Sequence, residues 1–125
     1  MAANTIVMKR PPADGSKFFV SYSSTDVSGC EELLAAVTGK SHYLQKIIIQ
    51  CASAITVSIG GGETTGALTS TFLGPIPFAA TTGNYVQEFS DEALVIGKAV
   101  ALCIDASGAG NVFVWAEGVT GPAFP

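Results

Sequence analysis

Ala54 to Ile59 places Ile55, Val57 and Ile59 at every second position, with Thr56 and Ser58 between them. Val100 to Asp105 repeats the pattern with Val100, Leu102 and Ile104. Val112 to Glu117 sets Val112 and Val114 opposite Phe113 and Trp115. A period of two is that of a strand with one buried face. Nowhere is there a helical stretch of the roughly dozen residues that a parallel crossover requires, so a parallel α/β sheet is excluded.

Further runs fit the same class. Ser41 to Ala52 carries Tyr43, Leu44 and Ile47-Ile48-Ile49, a β-branched run expected to be buried on both faces. Leu68 to Leu73 reads as a strand closed by Gly74-Pro75-Ile76-Pro77, and Tyr85 to Phe89 and Leu94 to Ile96 as two short ones. Gly60 to Gly66 reads as a flexible loop, and Ser107 to Asn111 as a turn. Seven or eight short strands at spacings of roughly 8–15 residues predict an antiparallel sandwich or barrel. Ile48, Ile55, Val57, Val100, Leu102, Val112 and Val114 are its expected core.

The segment from Glu31 to Val37 is open to two readings. Ser28 and Glu31 have the spacing of a capping box, and Gly39 stands where a helix would end. The same residues also suit a strand entering a turn at Thr38-Gly39-Lys40.

Pro11-Pro12 and Asp14-Gly15 make the beginning of the chain irregular. Residues 1–28 are therefore expected to form an arm, 29–117 the sandwich and 118–125 a tail too rich in Gly and Pro to extend it. The arm combines Ile6, Val7, Phe18 and Phe19 with Lys9, Arg10 and Lys17, three of the six cations of the chain. These seven residues are the candidate contacts with a neighbouring subunit or a partner. The alternative is that the segment straps onto its own sandwich.

Composition bears on the partner. Of 125 residues, 48% are hydrophobic and 13% charged, with a net charge of −4. A folded monomer of this size exposes roughly 6,300 Å² of surface, and sixteen charged side chains are few to cover it. Other copies or a partner are expected to cover part of it. An acidic chain does not neutralise phosphate, so nucleic acid and anionic membrane are excluded as partners. Cys30, Cys51 and Cys103 are an odd count without a close pair, which describes three small packed thiols and no disulfide framework.

Motifs for chemistry are missing. Gly61 and Gly66 have the glycine spacing of a phosphate loop, but Ala67-Leu68 follow where Lys and Ser/Thr are required. His42 is the only histidine, expected half-exposed at a strand start, and a lone histidine does not make a zinc site. Asp91-Glu92 point to opposite faces of any strand that holds them, so they are no acid–base pair. No enzyme activity, cofactor or metal is expected. Phe113 and Trp115 on one strand face would suit a stacking platform for a sugar, or subunit packing.

The order of segments resembles a known group. Leu33-Leu-Ala-Ala-Val-Thr-Gly-Lys40 precedes the Ile47–Ile49 run and Ala54-Ile-Thr-Val-Ser-Ile59. Then come Leu73-Gly-Pro-Ile-Pro-Phe-Ala-Ala80, Glu92-Ala-Leu-Val-Ile-Gly97, Val100-Ala-Leu-Cys-Ile104 and a last aromatic strand. Over residues 31–117 this is similar to the small β-sandwich virion proteins of tailed bacteriophages, the head decoration or cement proteins. Asp91-Glu92-Ala93 stands where relatives often have Gly-Glu-Ala. The resemblance tips residues 31–37 toward strand. It implies an all-β, jelly-roll-like antiparallel sandwich with an extended N-terminal arm. It also implies a homo-oligomer, dimer or trimer, made in the host cytoplasm and bound to major capsid protein on the capsid exterior. The alternative is a receptor- or glycan-binding module of a fibre or tail.

Overall fold

Ten strands make up most of the residues described by the computed structural model, which are 6–24, 28–64, 67–79, 83–108 and 110–123. One sheet contains β1 (Met8–Lys9), β2 (Ser16–Ser24), β4 (Lys40–Cys51), β7 (Gly83–Glu88), β8 (Ala93–Lys98) and β10 (Val112–Pro122). The other contains β3 (Ser28–Leu34), β5 (Thr56–Thr64), β6 (Ala67–Pro77) and β9 (Leu102–Ser107). The first runs β1-β8-β4-β10-β2, with β7 also on β4, and the second runs β3-β9-β5-β6. All pairings are antiparallel. The chain is a β-sandwich.

The alternating strands meet face to face. Ile47 and Ile49 of β4 and Val112, Val114 and Ala116 of β10 share one core with Val57 and Ile59 of β5 and Leu102 and Ile104 of β9. Of the seven expected core residues, Val57, Leu102, Val112 and Val114 are buried, whereas Ile55 and Val100 are half-buried at the core margin. Ile48 points away from the core. Its register partners are Trp115 and Val86, on the face of the six-stranded sheet that turns from the second sheet. A central strand of a two-layer sandwich has one covered face only, so three consecutive isoleucines cannot all be inside.

The segment at 31–37 follows the strand reading as far as Leu34, and two other segments differ from expectation. Ser28–Leu34 is strand, and only residues 35–37 leave it before the turn closed by Lys40 N–H on the Val37 carbonyl at 3.1 Å. Gly60 to Thr64 continue β5 and are not a loop; Thr65 and Gly66 lie outside the described residues. The reason is a close approach between strands. A Cβ at Gly60 would lie 1.9 Å from the Ser70 carbonyl oxygen, where β5 and β6 shift register. Glycine inside a strand commonly marks such a site. His42 is 2% exposed, not half-exposed, because β4 begins two residues earlier and turns the ring inward.

The sandwich also runs past its expected bounds at 29 and 117. β10 continues to Pro122, and β2 pairs along its whole length with β10. At Gly118 a bulge lets β10 stay against β4: a Cβ there would meet the Tyr43 carbonyl oxygen at 2.0 Å. Residues 8–9 pair with β8 at one edge of the sheet, and β2 forms the other edge. Four strand spacings, about 19 Å, separate these edges. Residues 10–15 link them, with a turn closed by the Gly15 N–H on the Pro12 carbonyl at 3.2 Å. They cross the outer face as a strap. Pro12 lies against Gly121, and Gly15 against Val119 and Thr120. Beside them Tyr43, Ala93 and Val119 form a second buried cluster, and the Tyr43 hydroxyl donates to the Pro122 carbonyl at 2.5 Å.

Candidate interaction surface

The strap covers only part of the outer face of the six-stranded sheet. Beyond it the registers align side chains in rows across β2, β10, β4 and β7. One row is Ser21, Trp115, Ile48 and Val86. The row beside it is Phe19, Glu117, Lys46 and Glu88, and the row on the other side is Ser23, Phe113, Gln50 and Asn84. The alternation that sends Val112, Val114 and Ala116 inward sends Phe113, Trp115 and Glu117 out.

Phe19, Trp115, Phe113, Ile48 and Val86 thus make an apolar stripe about 14 Å wide, three strand spacings. Phe19 is 61% exposed and Val86 55%, while Trp115, Phe113 and Ile48 are half-buried among their neighbours. The Phe19 and Trp115 rings stand 6.2 Å apart, tilted by 45°. The indole N–H donates to Glu117 Oε2 at 2.8 Å. Lys46 and Glu88 form a 3.2 Å ion pair on the rim. As an exposed pair it contributes little to stability. The stripe is set by strand register and is apolar, with Glu117, Lys46 and Glu88 along one side.

The seven sequence-predicted contact residues do not form one site. Ile6, Val7, Lys9 and Arg10 lie along β1 and just beside it, at the β8 edge, where the Val95 N–H donates to the Val7 carbonyl at 3.0 Å. Lys17, Phe18 and Phe19 are on β2, at the opposite edge. Of these three, Phe18 faces the core and packs edge-on against His42, with centroids 5.9 Å apart. Only Phe19 belongs to the apolar stripe. Ile48 and Val86 were not among the expected contacts. The signal for Val86 was its place between Tyr85 and Gln87 on a strand with one inward face. Ile48 could be found only from the register.

The remaining polar groups serve packing. Ala35 O can only accept, so His42 Nε2 carries the proton and donates to it at 2.7 Å. Nδ1 then accepts from the Thr120 hydroxyl, also at 2.7 Å. Burial lowers the His42 pKa, opposed by the bond to Ala35. Cys51 is buried and approaches the Ser53 carbonyl at 3.5 Å. Among the described residues, no three His, Cys, Asp or Glu side chains are grouped so as to hold a metal ion. No helix among them is long and apolar enough to cross a membrane.

No family model matches the chain, and no curated protein does. Among solved structures, a chain of the Bacillus endospore appendages, described as a novel family of disulfide-linked pili, aligns with a TM-score of 0.31. The identity is 13%, over 95% of this chain and 94% of that one. A likeness of that degree carries no argument about fold or function.

Proposed function

We propose that the chain is a decoration, or cement, protein of a tailed-bacteriophage head. It is made in the host cytoplasm and sits on the capsid exterior as a homo-oligomer, a dimer or trimer. It spans seams between subunits of the major capsid protein. The observation that carries this reading is the uncovered apolar half of the outer sheet face. An apolar stripe with charge along one side suits packing against another protein, because removing apolar area from water stabilises at about 25 cal/mol per Å². The segment order from residue 31 to residue 117 supports the family. A shell that expands on maturation presents complete seams only afterwards. A protein binding that state alone shifts the balance toward the intact shell, with no catalysis required.

The test uses heads lacking the protein, in unexpanded and expanded forms, co-sedimented with it. The expected result is saturable binding to expanded heads only. Equal binding to both forms, or to neither, contradicts the proposal. A second reading has one observation in its favour: Phe113 shares a row with the amides of Gln50 and Asn84, next to Trp115, as a glycan site would need. Saturable quenching of Trp115 fluorescence by a glycan would favour it.

A further inference from the structure

Cys30 lies opposite Asp105, and Glu32 opposite Cys103, in the pairing of β3 with β9. Cys30 and Cys103 are therefore diagonal neighbours, two residues offset and on the same face of the sheet. The two thiols lie within hydrogen-bond reach of each other. Cys103 is 1% exposed, whereas Cys30 is only partly buried. One thiol can thus be reached from solvent, and the second can be reached mainly through the first.

We propose that Cys30 and Cys103 are a modification site, a cross-strand dithiol that a low-molecular-weight disulfide converts reversibly into an internal disulfide. The Cys30 sulfur attacks the reagent as thiolate and releases one of its two halves as a thiol, leaving a mixed disulfide on Cys30. The Cys103 sulfur then attacks Cys30 Sγ and releases the other half. The protein loses two protons and two electrons, and the reagent takes them up to become two thiols.

Two features set the behaviour of this pair. Diagonal Cα atoms of an antiparallel pair lie roughly 7–8 Å apart, so closing the disulfide requires the edge strand β3 to shift toward β9. The bond formed is therefore strained and easily reduced. The Cys30 thiol is also pushed up to about 12, first by burial, then by Cys103 and by the carboxylates of Glu63 and Asp105. The reactive thiolate is scarce at neutral pH, so the pair stays reduced until an oxidant is abundant. Closing it would tie down β3, which among the described residues is an edge strand paired with β9 alone, and is linked to the other sheet by the Tyr22 hydroxyl bonded to Glu31.

The experiment incubates the folded full-length protein with oxidised glutathione at pH 7, 8 and 9. Non-reducing digestion and mass spectrometry follow. The expected product is a Cys30–Cys103 cross-linked peptide in monomeric chains, forming about tenfold faster per pH unit. Excess reduced glutathione reopens it. Cys103→Ser should instead trap glutathione on Cys30, and Cys51→Ser should behave as wild type. A stable glutathione adduct on wild-type Cys30, a cross-link joining two chains, or no reaction of Cys30 at any pH would overturn the proposal.

Discussion

His42 is neutral in the fold because burial disfavours its charged form, and its two ring nitrogens are already committed to Ala35 and Thr120. Its folded pKa lies below the ordinary value of about 6.5. In the unfolded chain the ring takes up a proton as pH falls through that value, while the native state resists it. Native stability is therefore full above about 6.5 and declines below it. Urea midpoints measured from pH 7.5 to 5 should fall for the wild type, with a shallower fall for His42→Gln; equal slopes would remove His42 as the cause. Core residues offer a second test. Val57→Ala and Leu102→Ala each leave a cavity between the sheets and should cost about 2–4 kcal/mol. Ile48→Ala, on the outer face, should cost clearly less. Chemical denaturation that ranks Ile48 with Leu102 would mean the phase of β4 is different.

At the scale of elements, the strap decides what the outer face can do. Residues 10–15 lie over Gly121, Val119 and Thr120, beside the buried Tyr43. A chain lacking residues 1–15 loses β1 and should keep its other strands at lower stability, and Tyr43 should become reactive to a phenol-modifying reagent. An unchanged midpoint with Tyr43 still protected would show that the strap is not a structural cover. Periodicity made β5, β9 and β10 legible in the residues, because Val57 and Ile59, Leu102 and Ile104, and Val112, Val114 and Ala116 stand at alternate positions facing the core. It failed where backbone contacts replace side-chain pattern. The Gly60 to Gly62 run looks like a loop, but it is the place where β6 presses on β5. The Gly-rich end of β10 looks like a tail, but Gly118 and Gly121 are small because Tyr43 and Pro12 lie against them. The apolar stripe was half legible: Phe113, Trp115 and Phe19 stand out by type. Their alignment with Ile48 and Val86 depends on strand order, which no local pattern encodes.

For the whole molecule, low charge and an uncovered apolar face point the same way. Sixteen charged side chains share an accessible surface of 6579 Å². Light scattering at micromolar concentration should report more than one subunit per particle, and Val86→Glu on the stripe should shift it toward monomer if copies meet there. A mass unaffected by that change would place self-association on another surface, such as the open edges of β2 or β6. In the proposed function, the bare half of the six-stranded sheet is the face applied to the capsid. Cryo-electron microscopy of expanded heads saturated with the protein tests it most directly. The expected density has Phe19, Trp115 and Val86 facing major capsid protein while the four-stranded sheet looks to solvent. A head bearing the protein with that stripe in solvent and another face on the shell would contradict it.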